Sequence, residues 1–197
     1  MTRVVLASGN AGKCRELERM LAGTGVELTL QSAFAIAAAP ETAPTFVENA
    51  LIKARHAAAA AGWPAIADDS GLEVEALEGA PGVRSARFAG EPTDDSANNR
   101  LLLERLEGVP PSQRGARYRA VLVYLRRGDD PAPLIAEGTW SGRIAEVPRG
   151  DAGFGYDPLF ELADGRTAAE LPAEEKNRVS HRGQALTALR HRLAAPG

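Results

Sequence analysis

Residues 65–72 constrain this chain most, because a short apolar run there meets two neighbouring carboxylates. The run is Ala-Ile-Ala; it follows a proline and precedes Asp68 and Asp69, after which come a serine and a glycine. Such a run between proline and glycine is typical of a buried strand, so we expect both aspartates where the strand leaves the core. Adjacent strand residues point to opposite faces, and the two carboxylates should therefore have different tasks. A turn is the alternative, because Asp, Ser and Gly are all turn formers.

The composition fits one soluble domain spanning residues 1–197, with 44% hydrophobic and 25% charged residues. The formal net charge of -3 disfavours a nucleic-acid partner. A single cysteine, Cys14, excludes an internal disulfide and fits a reducing compartment. No apolar run approaches the ~20 residues of a membrane span, and the apolar start is too short for a signal peptide. We therefore expect a cytoplasmic protein without a membrane partner.

Lysine is scarce in this chain. Of 23 basic residues, 20 are Arg and three are Lys, at positions 13, 53 and 176. Positions that keep Lys are candidates for a compact point charge, and phosphate binding is one use of such a charge.

The first 25 residues predict a strand, a turn and a helix. An apolar run over residues 3–8 ends in Ser8-Gly9-Asn10, and a helical pattern follows until Gly23 and Gly25. Free N–H groups at a helix start favour an anion, and Lys13 lies in the first turn. The spacing is not that of a P-loop, and an ordinary turn with a solvated lysine is the alternative.

A second helix is expected from Thr45 to about residue 61, because Thr45 and Glu48 have capping-box spacing. Glu41 lies in the loop before it, and Lys53 lies on it without a structural explanation from sequence. Further strands are expected at 26–30, 72–77, 117–125 and 134–144, and further helices at 93–107 and within 174–193.

The glycine-rich segment 150–158 carries Phe154 and Tyr156, which we interpret as poor core residues. A ring on such a loop is a stacking platform for a planar ligand such as a nucleobase; a Phe that folds back into the core is the alternative. A polar cluster follows at Lys176, Ser180, His181 and Arg182. It predicts a site for phosphate and a carbonyl-bearing base, with a solvated helix face as the alternative.

In this order, the segments resemble the inosine/xanthosine triphosphate pyrophosphatase family over nearly the whole chain. The matching segments are 8–13 (SGNAGK), 46–54 (FVENALIKA), 68–72 (DDSGL), 79–87, 153–158 (GFGYDP) and 176–182. Cys14 and Arg84 are small departures from the family pattern. The resemblance implies an elongated, two-lobed α/β fold with a long mixed twisted sheet, flanking helices and a central cleft, usually in a homodimer. It also implies Mg²⁺-dependent hydrolysis of ITP, dITP and XTP to the monophosphate and pyrophosphate, which cleanses the nucleotide pool.

Carried over residue by residue, the resemblance implies that Asp69 is the proton acceptor and that Glu41 and Asp69 hold Mg²⁺. Asp68 stands beside them in support, and which aspartate is the base stays open. The resemblance implies nucleotide contacts at Ser8, Gly9, Asn10, Ala11, Gly12, Lys13, Lys53, Ser70, Phe154, Gly155, Tyr156, Asp157, Lys176, His181 and Arg182. A donor to the purine 6-oxo group would reject adenine, and we expect it from Arg182 or nearby backbone while Phe154 stacks.

Two other functions compete with this interpretation. A magnesium phosphohydrolase of other phosphate esters would need a nucleophilic carboxylate, usually after the first strand, where this chain has Ser-Gly-Asn. A nucleotide-binding module without catalysis would not need the acidic pair Glu41 and Asp69. Product analysis and magnesium-dependent turnover distinguish these possibilities.

Overall fold

The computed structural model describes residues 2–9, 11–22 and 25–194. Asn10 and Gly23, which we placed in the first turn and at the end of the first helix, lie outside the described residues. The strands are β1 (Thr2–Ala7), β2 (Val26–Leu30), β3 (Ala65–Val74), β4 (Gly115–Leu125), β5 (Leu134–Ile144) and β6 (Phe160–Glu161). The helices are α1 (Ala11–Leu21), α2 (Phe46–Ala61), α3 (Asp95–Arg105), α4 (Ala173–Val179) and α5 (His181–Ala194).

The strands form a mixed sheet in the order β2-β1-β3-β4-β5-β6. Strand β1 runs parallel to both β2 and β3, whereas β5 and β6 are antiparallel. The predicted α/β class with a mixed sheet and flanking helices is confirmed. Among the described residues, no helix is both long and apolar enough to cross a membrane.

The chain divides into two compact units. The first unit comprises Met1–Asp69, Ala120–Gly138 and Arg182–Gly197. Its core joins the apolar faces of α1 and α5 to the sheet, as the helical spacing of the first segment predicts. The buried residues of this core are Val4, Leu6, Cys14, Leu17, Leu21, Ile66, Ala120, Leu122, Ala136, Ala185, Leu186 and Leu189.

The second unit comprises Ser70–Arg119 and Thr139–His181. Its core is richer in aromatic rings, which bury large areas and pack in tilted or offset pairs. The ring centroids of Tyr118 and Phe160 are 4.6 Å apart, and those of Trp140 and Phe160 are 5.2 Å apart. Tyr156, which we interpreted as a poor core residue, belongs to this core with an exposed fraction of 4%.

Strand β3 is longer than the sequence predicts. The expected end near Asp69 and the separate strand 72–77 are both wrong, because one strand runs to Val74 and residues 75–77 form a short 3-10 turn. Leu72 and Val74 are fully buried, and the Leu72 N–H donates to Ser85 Oγ at 2.8 Å. Burial therefore holds the strand together through Gly71, although glycine weakens a strand interior. The two aspartates lie in mid-strand, and the alternative of a turn is excluded.

Helix α2 begins as its capping residues predict. The Thr45 hydroxyl accepts from the Glu48 N–H and donates to Glu48 Oε2 at 2.5 Å. The helix ends at Gly62, whose positive φ of 66° suits glycine. This placement fixes Lys53 in the middle of α2.

Candidate functional site

Strand β3 directs Asp68 and Asp69 to opposite faces of the sheet. Asp68 has the same parity as Ile66, which packs with α1 and α5, whereas Asp69 bonds to Lys53 of α2. The two carboxylates are 1% and 5% exposed. Their different partners agree with the expectation of different tasks.

Asp68 is the anionic centre of a buried ion-pair cluster in the first unit. Its Oδ2 lies 3.1 Å from Lys13 Nζ and 3.6 Å from Arg182 Nε, and Arg182 also pairs with Glu16. Burial alone would raise the pKa of Asp68, but Lys13, Arg182 and Lys53 outweigh it and hold this pKa well below its ordinary value. Asp68 is therefore a permanent negative charge that orients two cations.

Asp69 is held differently. Its Oδ1 accepts from Lys53 Nζ at 2.6 Å, and its buried Oδ2 has no hydrogen-bond partner among the described residues. Burial raises the pKa of Asp69 above its ordinary value, although Lys53 and Lys13 pull it down. A buried acceptor without a donor costs free energy, so this oxygen is available to a water or a cation. When neighbouring groups have their pKa values pushed apart, the raised one is the better base.

Lys53 has a structural role that the sequence did not show. Its ammonium donates to Glu41 Oε1 at 2.8 Å, to the Asp68 carbonyl at 2.8 Å and to Asp69 Oδ1 at 2.6 Å. Burial lowers the pKa of Lys53, but Asp69 and Glu41 outweigh it and raise this pKa above its ordinary value. Lys53 is thus a cation that pairs with both carboxylates predicted to bind metal, Glu41 and Asp69.

Glu41 and Asp69 fit Mg²⁺ by their chemistry. They share Lys53 as a partner, and carboxylate oxygens are the donors that Mg²⁺ prefers. In the part of the chain that the structure describes, no group of three or more His, Cys, Asp and Glu side chains is placed to hold a metal. Two carboxylates suffice for an ion that keeps its waters or shares phosphate oxygens, and Asp69 Oδ2 has an unused acceptor for it.

The predicted phosphate turn joins β1 to α1. Ser8 is half-buried and Gly9 exposed, and a Cβ added at Gly9 would meet no atom within 4 Å. The Lys13 side chain keeps 15% of its surface exposed. The turn is therefore open beside a lysine and a helix start, as an anion site requires. Gly12 and Ser70 are half-buried.

In the second unit, Asp157 organises the glycine-rich loop. Asp157 Oδ2 accepts from the Phe154 N–H at 2.9 Å and from Lys176 Nζ at 2.7 Å, and the Tyr118 hydroxyl donates to Oδ1 at 3.4 Å. Asp157 is 3% exposed. Asp157, which we predict to contact the ligand, thus also stabilises the conformation of its own loop.

Phe154 is half-buried, and Lys176 Nζ lies 5.1 Å from its ring centroid, within the range of a cation–π contact. Tyr156 instead donates its hydroxyl to the Ser85 carbonyl at 2.8 Å, and burial raises its pKa. Of the two rings on this loop, Phe154 is the one left with accessible surface for stacking.

The polar cluster predicted at 176–182 is buried, so a solvated helix face is excluded. Lys176, Ser180, His181 and Arg182 are all less than 9% exposed. The His181 ring stacks on Tyr118 with centroids 4.6 Å apart and an interplanar angle of 9°. Arg182 belongs to the first unit, where Asp68 and Glu16 hold its guanidinium.

Sequence reasoning missed four supporting residues. Glu16 pairs with Arg182, and Tyr118 contacts Asp157 and His181. Asp95 and Asn99 bond to Gly155. The spacing of Asp95 and Asn99 is visible in the sequence, because residues four apart share a helix face. Which residue each of the four side chains contacts depends on tertiary packing.

Gly153→Ala is expected to destabilise the protein by about 2 kcal/mol, because its Cβ would overlap Asp157 Oδ2 at a positive φ of 82°. Gly155→Ala is the matched control: its φ is 62°, but its Cβ meets no atom within 4 Å. Urea unfolding should show the larger loss for Gly153→Ala. Equal losses would mean that backbone strain alone acts at both positions.

Known proteins resemble this chain along nearly its whole length. The sequence profile of the Ham1 family matches residues 4–192. A dITP/XTP pyrophosphatase of Thioalkalivibrio sulfidiphilus is 59% identical over 192 residues, 97% of this chain and 98% of the relative. One of Shigella flexneri is 55% identical over 190 residues, 96% of each chain. The structure of a HAM1 protein from Coxiella burnetii has a TM-score of 0.90 at 48% identity, covering 98% of both chains.

A mixed α/β fold that gathers lysines around two strand carboxylates has the charges of a protein that handles phosphate anions. The match over residues 4–192 makes the assignment specific: this chain belongs to the Ham1 family. The Staphylococcus aureus Ham1 protein shares the fold at a TM-score of 0.85 and 38% identity, with 98% of both chains covered.

Proposed function

We propose that this chain is a hydrolase that cleaves ITP, dITP and XTP to the nucleoside monophosphate and pyrophosphate. Family membership supports the proposal, as do the relatives named dITP/XTP pyrophosphatase. The observation that carries it is Asp69, a buried carboxylate with a raised pKa and an unused oxygen, beside Lys53 and Glu41. Such a group can accept a proton from an attacking water.

The residues of the first unit have separate roles in this proposal. Asp69 orients the water and takes its proton, and Lys13 balances charge on the phosphate oxygens. Asp68 keeps Lys13 and Arg182 in place. Mg²⁺ held by Glu41 and Asp69 would supply charge neutralisation for the triphosphate. Lys53 keeps the two carboxylates together, and we retain it as a phosphate contact once the triphosphate competes for its ammonium.

In this proposal the contacts for the base come from residues 154–182. Phe154 stacks on the purine, while Lys176 and Asp157 hold the loop that carries it. A donor to the 6-oxo group discriminates against adenine, and we assign it to Arg182 or to neighbouring backbone. A homodimer and a cytoplasmic location are part of the same proposal, since the family resemblance implies the former and the lone cysteine fits the latter.

Lys13→Arg is expected to lower kcat/KM for ITP by about 30-fold although the charge is kept, because a guanidinium cannot take the position of a compact ammonium. Arg190→Lys on α5 is the control for a conservative change of a cation. Steady-state kinetics with ITP measure both variants. A Lys13→Arg enzyme within twofold of wild type would remove the argument from lysine scarcity.

A substrate panel tests the proposal. Turnover of ITP, dITP, XTP, ATP and GTP is measured with magnesium at equal concentrations. The proposal predicts kcat/KM values for ITP, dITP and XTP at least about 10²-fold above that for ATP, because a donor to the 6-oxo group rejects the 6-amino group of adenine. Equal turnover of ATP would contradict the assigned selectivity, and no turnover of any triphosphate would contradict the activity itself.

A further inference from the structure

Helix α3 holds Gly155 at both of its backbone polar groups. Asp95 Oδ2 accepts from the Gly155 N–H at 2.7 Å, and Asn99 Nδ2 donates to the Gly155 carbonyl at 2.9 Å. Asp95 and Asn99 are four residues apart and therefore lie on one face of the helix. The two bonds connect this face to a single glycine of the loop.

The neighbours of Gly155 are fixed as well. Tyr156 is anchored through its hydroxyl to Ser85, and the Phe154 N–H is bonded to Asp157. Gly155 itself has a φ of 62°, which glycine adopts without strain. The backbone on both sides of Phe154 is thus restrained.

Helix stability alone does not account for asparagine at position 99. Its Oδ1 is buried and has no hydrogen-bond partner within the described ranges, and such an acceptor costs free energy. The amide orientation follows from the bond to the Gly155 carbonyl, since a flipped amide would place two oxygens together. We therefore attribute the presence of asparagine here to its hydrogen bond with the Gly155 carbonyl.

We propose that Asp95 and Asn99 are positioning residues for base recognition, which act by fixing the backbone of Gly155 so that Phe154 presents its ring to the purine. The inference rests on the proposed function and adds two residues to it. A loop that is ordered before binding avoids the entropy cost of ordering on binding. Loss of either bond should therefore raise KM and leave kcat nearly unchanged.

Steady-state kinetics on ITP test the inference with Asp95→Ala, Asn99→Ala and the double variant. Each single change should raise KM by about fivefold to tenfold with kcat within about twofold. The double variant should not exceed the larger single effect by much, because both side chains restrain the backbone of the same residue. Asp95→Asn keeps an acceptor and should restore KM to within about twofold of wild type.

Asp94→Ala is the matched control, since Asp94 caps the same helix through the N–H groups of Ser96 and Ala97 and, among the described residues, has no hydrogen bond to the loop. Its KM should stay within twofold of wild type. An equal rise in KM for Asp94→Ala would show that helix stability matters and not position, and would overturn the inference. So would wild-type KM values in both Asp95→Ala and Asn99→Ala.

Amide exchange separates failure of the inference from failure of the proposed function. A wild-type protein that does not turn over ITP would refute the proposed function. The restraint of Gly155 by Asp95 and Asn99 could still be measured by amide exchange. Hydrogen exchange over residues 150–158 should be faster in Asp95→Ala and Asn99→Ala than in wild type or Asp94→Ala. Unchanged exchange in both variants would overturn the inference whatever the substrate is.

Discussion

Asp69→Asn is expected to lower kcat for ITP by about 10²–10⁴-fold, the range that loss of a general base produces. The amide keeps the shape of the side chain but cannot take a proton from water or bind Mg²⁺ as a carboxylate does. Lys53 retains Glu41 and the Asp68 carbonyl as acceptors, so the fold should persist. Single-turnover and steady-state rates with saturating ITP measure the effect.

Asp130→Asn is the control for Asp69→Asn. Asp130 is a buried carboxylate of the same unit, but its partner is Arg126 at 2.7 Å. Its kcat should stay within about twofold of wild type. A fall of less than tenfold in Asp69→Asn would remove Asp69 from the catalytic role and favour Asp68 as the base.

Asp68→Asn is expected to have its largest effect on stability, a loss of about 3 kcal/mol in the free energy of unfolding. Lys13 and Arg182 would lose the negative charge that they share, and Arg182 is only 2% exposed. Removing one partner of a buried ion pair leaves the remaining charge less well compensated, which costs more than the intact pair contributes. Glu16 would remain as the partner of Arg182. Urea unfolding followed by circular dichroism measures the loss.

The two adjacent aspartates should therefore differ when kcat for ITP and the free energy of unfolding are measured for both variants. Asp69→Asn should lose less than about 1 kcal/mol of stability, because burial already disfavours the charged form of Asp69. The asparagine oxygen can still accept from Lys53, which also keeps Glu41 and the Asp68 carbonyl as acceptors. A more stable Asp68→Asn than Asp69→Asn would contradict the ion-pair cluster as the structural role of Asp68.

Local patterns were enough for much of the fold. Strand β5 has the predicted bounds, and α2 begins at its predicted cap, because hydrophobic period and capping are properties of neighbouring residues. The end of β3 was wrong, since the burial that carries the strand past Gly71 comes from Ser85 and from the core of the second unit. The sequence around Gly71 does not show that the following residues are buried by distant parts of the chain.

Residue types at the candidate site could be chosen from sequence, but their partners could not. Lys53 meets Glu41 and Asp69 from 12 and 16 residues away, and Arg182 meets Glu16 across 166 residues. Tyr156 was interpreted as a poor core residue because it lies on a glycine-rich loop, yet its ring completes a core. Such pairings depend on tertiary packing, which periodicity does not encode.

Phosphate release from ITP in the presence of magnesium, with and without added inorganic pyrophosphatase, tests the proposed reaction most directly. Cleavage to the monophosphate and pyrophosphate predicts orthophosphate only when the coupling enzyme is present, and in that condition at least about 10²-fold slower release from Asp69→Asn. Orthophosphate released without the coupling enzyme would contradict a pyrophosphatase and identify a phosphohydrolase that removes the terminal phosphate.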